Sequence, residues 1–431
     1  MSGCYKDRIL ISVEDAQEIM LGHVAALEPE RIGIAESFGR VLAEDIESDI
    51  DISPFSSSAM DGFAICLSQL TASQAKAANC GQPLRFSIIG IIGAGESYTP
   101  RLLPGQALRI MTGAPIPTGA DTVVPIEEAE VLGECPETPA GLELELHNMP
   151  AVGSHIRAAG EEARAGDVLL HIGETLSAAA CGLLAAAGHT RTSVYRRPRV
   201  AVIATGNELV DASEVPRPGF IRDSNSFSLA AAVIEAGGIA DILPRLKDDE
   251  QKFATALSAA AASHDFVVTS GGAAEGDFDY VTATIRKIGQ LYFNKVNMKP
   301  GKSQSFGMVN GTPVIGLAGN PSAAACGFEM LVRPCLRKMQ GHSALFRPVV
   351  CARLADGVHK KPEKRRLYLR ARLSADPNGG YLVLPDSQQN SALLGGLNRA
   401  NCLLIVPEGL QPATVGSEVN CVRIDLEAGT V

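Results

Sequence analysis

A glycine-rich segment, Thr269-Ser-Gly-Gly-Ala-Ala-Glu-Gly-Asp-Phe-Asp-Tyr280, directly follows a short apolar run. Its three glycines, Gly271, Gly272 and Gly276, let the backbone turn tightly and present N–H groups to an anion, to which Ser270 could add its own contact. A helix predicted to begin near Asp279 would add a favourable field for negative charge. Asp279 fits a helix cap and could equally ligate a divalent cation. Simple turn formation would also explain such a loop, but its place after a strand favours a binding role.

A second segment, Lys295-Val-Asn-Met-Lys-Pro-Gly-Lys302, carries three lysines within eight residues and no acidic residue. Surface lysines are usually only solvated, and this remains an alternative here. The segment also follows an apolar strand, and Pro300-Gly301 fixes a turn that could aim the amines inward. Lys295, Lys299 and Lys302 could then bind a phosphate or another oxyanion.

Two more loops follow predicted strands. In Ala204-Thr-Gly-Asn-Glu-Leu209, Glu208 could be a metal ligand or a simple cap, and Asp223-Ser-Asn225 closes the next loop. In Gly316-Leu-Ala-Gly-Asn-Pro-Ser322, Pro321 favours a helix start whatever the function. Both loops therefore add candidates without deciding between structure and chemistry.

The elements around these loops alternate between strand and helix patterns from residue 198 to residue 340. Such alternation predicts a parallel sheet with helices on both faces. Ligands of these sheets bind beyond the carboxyl ends of the strands, which is where all four loops lie.

The flanking regions have a different pattern. Ser12-x-x-Asp15 predicts a capped N-terminal helix. Prolines and glycines punctuate short strand-like stretches from residue 47 to residue 166, and an alanine-rich helix ending at Gly188 follows. After residue 342 the pattern predicts a small β-barrel or sandwich, in which Arg366-Leu-Tyr-Leu-Arg-Ala-Arg-Leu373 alternates between two faces.

Composition limits the class of protein. The chain has 431 residues, 46% of them hydrophobic, and a formal net charge of −10, without the basic face expected of a nucleic-acid-binding protein. No apolar run approaches the roughly 20 residues of a membrane span. The ten cysteines are scattered singly, as is usual for free thiols in a reducing compartment. We therefore expect a cytoplasmic enzyme that binds neither nucleic acid nor membrane.

The motifs taken in order are more specific than any one of them. SAMDGFA, RIMTGAP, a GEE turn at Gly160-Glu-Glu162, TGNEL, DSN, SGG-x-x-x-GDFDYV, MKPGK and GLAGNPSAA resemble the molybdopterin molybdenumtransferases, the MoeA-like family that includes the E domain of gephyrin. The resemblance covers essentially the whole chain.

The resemblance implies a multidomain α/β plus β fold. Expected are an elongated linker domain (residues 1–46 and 165–195), an inserted β domain (47–164), a central MogA-like three-layer α/β domain with a parallel-rich sheet (196–342) and a C-terminal β-barrel (343–431). It also implies a homodimer whose active sites lie between the α/β domain of one subunit and the β domain of the other.

The implied reaction converts adenylylated molybdopterin and molybdate to molybdenum cofactor and AMP, with Mg²⁺. MogA-like proteins and recipient apoenzymes are the implied protein partners. By position, the family's active-site residues correspond to Asp61, Thr112, Glu208, Asp248, Asp279, Lys295, Lys299, Pro321 and Ser391. Glu208, Asp248 and Asp279 would hold Mg²⁺ near the pyrophosphate, and Lys295 and Lys299 would hold phosphate or molybdate.

The chain departs from the family pattern at several positions. Ala274 replaces a loop serine and Glu275 adds a negative charge, while Glu162, Asn207 and Ala318 stand where the family usually has aspartate, aspartate and proline. Three alternatives follow: a divergent paralogue that inserts tungstate, a carrier that binds molybdopterin without catalysis, or the preceding adenylylation step. That step would need ATP turnover, and the extra β domains and the SAMDG motif favour insertion.

Overall fold

The structure is a computed structural model that describes residues 10–96, 100–133, 140–272, 280–358, 363–377, 379–409 and 413–426. Its N-terminal elements are β1 (Leu10–Ile11), α1 (Val13–Gly22), β2 (Pro29–Gly33), β3 (Ile46–Glu47), β4 (Ser57–Ser58), β5 (Gly62–Ile65), α2 (Ala72–Asn79), β6 (Leu84–Ile92), β7 (Gln106–Ile110), β8 (Thr122–Pro125), β9 (Glu130–Leu132), β10 (Glu143–Leu146), β11 (Ile156–Arg157), β12 (Val168–Leu170), α3 (Ala178–Ala186) and β13 (Arg191–Tyr195).

The central elements are β14 (Arg199–Ala204), β15 (Leu209–Val210), β16 (Ile221–Arg222), α4 (Asn225–Glu235), β17 (Ile239–Ile242), α5 (Glu250–Ser263), β18 (Phe266–Ser270), α6 (Tyr280–Ile288), β19 (Gln290–Phe293), β20 (Lys295–Val296), β21 (Met298–Lys299), β22 (Ser305–Val309), β23 (Thr312–Leu317), α7 (Pro321–Gly327) and α8 (Arg333–Met339). The C-terminal elements are β24 (Val349–Leu354), β25 (Arg366–Ala375), β26 (Tyr381–Pro385), α9 (Gly395–Arg399), β27 (Cys402–Val406) and β28 (Glu418–Arg423).

The central sheet has six strands in the order β17-β14-β18-β23-β22-β19. The first four run parallel, and β22 and β19 are antiparallel to their neighbours. Alternate residues of β14 face opposite sides: Val200 and Val202 pack in one core with α4, whereas Ala201 and Ile203 pack in another with α5 and α6. This period of two, with helices on both faces, gives the predicted three layers.

A second sheet of six strands, in the order β8-β5-β7-β6-β10-β9, has its own hydrophobic cores. Between this sheet and the central one lie two antiparallel pairs, β13 with β2 and β12 with β3. These pairs share a core with α3, whose side-chain cap is Ser177. Segments distant in sequence thus form one connecting unit.

The C-terminal strands close on themselves. β25 pairs with β26, β26 with β24, β24 with β28, β28 with β27, and β27 again with β25. Closure removes the unpaired edges that an open sheet would expose. The predicted fold class, an α/β sheet with a separate β domain and a C-terminal barrel, is confirmed.

The barrel is attached to the central domain by backbone pairing and by a shared core. β21 runs parallel to β25, with Lys299 opposite Leu367. Tyr368 and Leu403 of the barrel pack in the same core as α1 and the central sheet. Consequently Tyr368 and Arg370 are buried, although they lie on the face of β25 that points away from the core of the barrel. The sequence alternation by itself does not distinguish a face exposed to solvent from a face that contacts another domain.

Within the described ranges, no helix has the length and apolar character that a membrane crossing needs.

Candidate active site

A cavity of about 1370 Å³ lies beyond the carboxyl ends of β14, β18 and β23. Residues of the C-terminal region, such as Glu363 and Arg370, also line this cavity. The volume exceeds the roughly 300–1,000 Å³ of typical ligand pockets, so a ligand of several linked groups would fit.

This cavity brings together most of the described residues that the sequence predicts for the site. They are Glu208, Asp248, Ser270, Gly271, Gly272, Lys299, Lys302, Pro321 and Ser391. Gly276 and Asp279, with Ala274 and Glu275, lie outside the described residues. Among those described, the lining residues do not include Lys295, which is buried in β20 opposite Leu10, nor Asp61 and Thr112.

The glycine turn after β18 approaches the neighbouring loop so closely that side chains are excluded. Gly271 has φ +90°, and a Cβ built there would lie 2.2 Å from the carbonyl oxygen of Thr205. Gly272 has φ +65°. The Gly271 N–H donates to the carbonyl oxygen of Leu317 at 3.2 Å. The prediction that this loop presents N–H groups to an anion therefore does not extend to Gly271, whose N–H joins two strand ends.

Two carboxylates mark one side of the cavity. Glu208 is exposed and Asp248 is half-buried, on loops that follow β14 and β17. The backbone N–H of Asp248 donates to the side-chain Oδ1 of Asn207 at 3.2 Å. The asparagine thus keeps an oxygen acceptor where the family usually has aspartate. Carboxylate oxygens are the ligands that Mg²⁺ prefers, so the donor set on this wall fits such an ion.

The wall of the cavity also carries cationic side chains. They are Arg222, Lys299, Lys302, Lys364, Arg365 and Arg370. The Nζ of Lys299 lies 2.7 Å from Oε2 of Glu363, and Nη2 of Arg365 lies 2.9 Å from the same oxygen. Hydrogen bonds from Arg365 and Lys299 lower the pKa of Glu363 to about 2. The wall therefore combines several cations with one permanently ionised carboxylate.

Arg370 fastens the barrel to the start of α7. It donates to the carbonyl oxygens of Asn390 and Leu393 at 3.1 and 3.2 Å and also contacts the hydroxyl of Ser322. Next to it, Asn320 Nδ2 donates to Ser391 Oγ at 3.1 Å. Arg370 was not among the predicted site residues, because alternation in β25 gives no sign that one arginine is buried.

Asn225 is a second lining residue that was not predicted for the site. Its Nδ2 donates to Ser270 Oγ at 2.7 Å and to the carbonyl oxygen of Gly319 at 2.8 Å, so it connects the loops after β18 and β23. The DSN motif indicated a loop at this segment, but only the structure shows which two loops the Asn225 amide connects.

Asp61 and Thr112 form a pair on the second sheet. The backbone N–H and the hydroxyl of Thr112 donate to Oδ1 of Asp61 at 2.7 and 2.8 Å. These bonds, the backbone one first, lower the pKa of Asp61 below its ordinary value. The pair is exposed on the surface of this chain, so its carboxylate is ionised and available to a neighbouring molecule.

Replacement of Thr112 by valine is expected to raise the pKa of Asp61 toward its ordinary value, because the hydroxyl donor is lost while the backbone donor stays. The carboxylate of the variant then becomes protonated at a higher pH than that of the unmodified protein. Titration of the Asp61 carboxyl carbon by NMR measures this. Thr118→Val, at an exposed threonine of the same sheet region, is the control. An Asp61 pKa unchanged by Thr112→Val would contradict the assigned role of the hydroxyl.

Comparison with known proteins accounts for this arrangement. Three family models match the chain: MoeA N-terminal region (domain I and II) over residues 11–188, probable molybdopterin binding domain over 201–338, and MoeA C-terminal region (domain IV) over 351–424. The chain belongs to the MoeA family.

Relatives of this MoeA-family chain are similar over nearly their whole length. A molybdopterin molybdenumtransferase of Staphylococcus epidermidis is 34% identical over 96% of this chain and 96% of its own. One of Bacillus subtilis is 35% identical over 94% of this chain and 91% of its own. A crystal structure of the molybdopterin biosynthesis MoeA protein from Pyrococcus horikoshii has a TM-score of 0.79 at 29% identity, covering 96% of this chain and 99% of that one. The recognised resemblance to the family is thereby confirmed, with a role in molybdenum cofactor biosynthesis.

The described departures from the MoeA pattern leave the cavity intact. Ala318 lines it, and Asn207 keeps its contact with Asp248. Glu162 lies between β11 and β12, and its backbone N–H donates to the carbonyl oxygen of Ile52 at 3.0 Å. None of these three substitutions removes a charged group from the described cavity wall.

Proposed function

We propose that this chain is a molybdopterin molybdenumtransferase: it inserts molybdate into adenylylated molybdopterin, releases AMP and yields molybdenum cofactor. The observation that carries the proposal is the cavity that Glu208, Asp248, Lys299 and Lys302 line together. The names of the relatives support the same reaction.

The charges of the cavity suit the proposed substrates. Mg²⁺ held by Glu208 and Asp248, with Asp279 as the third proposed ligand, would neutralise the pyrophosphate as AMP departs. Lysine and arginine N–H groups donate to phosphate and molybdate oxygens. We propose that Lys299, Lys302, Ser270, Gly272, Gly276, Pro321 and Ser391 bind the substrates, and that Lys295 and Gly271 hold the neighbouring strands in place.

Asp61 and Thr112 suggest how subunits cooperate. They lie on the second sheet, and the described lining of the cavity does not include them. We propose that the protein is a homodimer in which this pair of one subunit completes the cavity of the other. The proposed domains remain those of the sequence: linker 1–46 and 165–195, inserted β domain 47–164, α/β domain 196–342 and barrel 343–431.

We also propose a cellular compartment and partner proteins for this reaction. The cysteines that the structure describes are free thiols, which fits a cytoplasmic protein. A MogA-like protein would supply the adenylylated substrate, and molybdenum-dependent apoenzymes would receive the product.

The proposal is tested by mixing purified protein with adenylylated molybdopterin and Mg²⁺, adding molybdate or tungstate, and measuring AMP by chromatography. We expect AMP release that depends on the oxyanion, and the preferred oxyanion distinguishes a molybdenum enzyme from a tungsten paralogue. Asp248→Asn is expected to lower the rate by roughly 100-fold, since a charge at the reacting phosphates is lost.

Glu250→Gln is the matched control, because this nearby acid pairs with Lys287 and is not among the described lining residues. Binding of the pterin without AMP release under both oxyanions would replace the transferase with a carrier. Conversion of unmodified molybdopterin and ATP to adenylylated molybdopterin and pyrophosphate would indicate the preceding adenylylation step.

A further inference from the structure

Glu363 is an acidic side chain on the cationic wall of the cavity. Its Oε2 lies 2.7 Å from Lys299 Nζ and 2.9 Å from Arg365 Nη2, and its Oε1 lies 3.2 Å from Arg365 Nε. All three residues line the cavity. The carboxylate thus occupies the edge of the guanidinium formed by Nε and Nη2, out of five N–H donors in all, and one proton of the ammonium group.

The position of Glu363 is set by the barrel as well as by the two cations. Its carbonyl oxygen accepts a hydrogen bond from the N–H of Gly409 at 2.9 Å, just after β27. Its side chain is 23% exposed, compared with 43% for that of Lys299 and 28% for that of Arg365. All three side chains are therefore partly accessible to solvent.

An anion that binds at this part of the wall uses N–H donors of the same two side chains, Lys299 and Arg365. The low pKa of Glu363 keeps its carboxylate ionised at any working pH, so protonation does not release the cations. A second anion must either share Lys299 and Arg365 with Glu363 or displace it, and two like charges at one site repel each other. Either way, binding of an oxyanion is weakened.

We propose that Glu363 is an internal competitor of the oxyanion substrate: it pairs with Lys299 and Arg365, and it gives up these contacts when an oxyanion binds. This inference rests on the proposed function, because that function assigns an oxyanion to the same wall. Its consequence is weaker retention of a free oxyanion, which favours the release or transfer of that oxyanion.

The test is the affinity of Glu363→Gln for molybdate, tungstate and sulfate, measured by isothermal titration calorimetry at fixed ionic strength. We expect the Kd for the oxyanions to fall about tenfold, equivalent to about 1.4 kcal/mol. Glutamine keeps the shape of the side chain without its charge, and Glu363→Ala provides a second variant with the same expected direction.

Glu408→Gln is the matched control. This barrel carboxylate lies 3.3 Å from Arg366 and is not among the described lining residues, so its removal changes the net charge equally without touching the wall. Its oxyanion affinity is expected to equal that of the unmodified protein.

The outcomes separate the two proposals. If the unmodified protein binds an oxyanion and Glu363→Gln binds it equally or more weakly, Glu363 only positions Lys299 and the inference is overturned. If the control also tightens binding, the effect is one of overall charge and the inference again fails. If neither the unmodified protein nor any variant binds an oxyanion, the proposed function itself loses its support.

Discussion

Lys299→Met is expected to lower kcat/KM for oxyanion-dependent AMP release by about 100-fold or more. The Nζ of Lys299 lies in the cavity next to Glu363, and methionine keeps the length of the side chain while removing its charge and donors. Loss of one well-placed donor to a developing charge costs about 100- to 1,000-fold in comparable sites. The variant also leaves Glu363 with one cation fewer, which adds repulsion toward any anion.

A double variant, Lys299→Met with Glu363→Gln, separates these two contributions. If repulsion by the unpaired carboxylate matters, the double variant recovers part of the lost activity, whereas loss of the donor alone leaves it as slow as the single variant. Lys287→Met is the control. This surface lysine of α6 pairs with Glu250 at the start of α5, and neither residue is among those described that line the cavity. Activity of Lys299→Met close to that of the control would show that this lysine does not act on the substrate.

Gly271→Ala is expected to destabilise the protein and abolish AMP release together. A Cβ at this position lies 2.2 Å from the carbonyl oxygen of Thr205, and φ of +90° is strained for any residue with a side chain. Overpacking of 1–3 kcal/mol and backbone strain of similar size give a loss of about 3 kcal/mol or more. For domains of this size, such a loss lowers Tm by roughly 6 °C or more, which calorimetry measures.

Gly311→Ala isolates the backbone part of this effect. Gly311 has φ +81°, and a Cβ there meets no described heavy atom within 4 Å. Its variant is expected to lose only about 1 kcal/mol and to keep full activity. Equal losses at Gly271 and Gly311 would mean that the contact with Thr205 relaxes without cost and does not shape the loop.

Local signals in the sequence predict many elements well, because their causes lie within a few residues. The Ser12 capping box forms as predicted, with Asp15 N–H donating to Ser12 Oγ at 3.0 Å. Pro321 begins α7, and Gly188 has the positive φ of +83° that a helix end favours. The alternation of strands and helices also predicted correctly that the loops after β14 and β18 would meet, since parallel strands end at one edge of a sheet.

Local sequence patterns did not predict which residues form contacts between domains. Arg366-Leu-Tyr-Leu-Arg-Ala-Arg-Leu373 alternates as a strand with one wet face, yet Tyr368 and Arg370 are 2% and 3% exposed. Their burial comes from helix α1 and the start of α7, which lie far away in sequence. The predicted lysine segment is likewise divided by the fold: Lys299 and Lys302 line the cavity, whereas Lys295 is held in a strand pair with Leu10.

Residue types and their spacing thus suffice to identify the family, the order of its structural units and four of the charged residues that line the cavity. They act through short-range preferences and through motifs a few residues long. The pairing of Lys299 with Glu363 and the contact of Arg370 with the start of α7 follow from tertiary structure alone. Each of these depends on how separate sheets pack against one another, and that packing minimises exposed apolar surface over the whole chain rather than within any one segment.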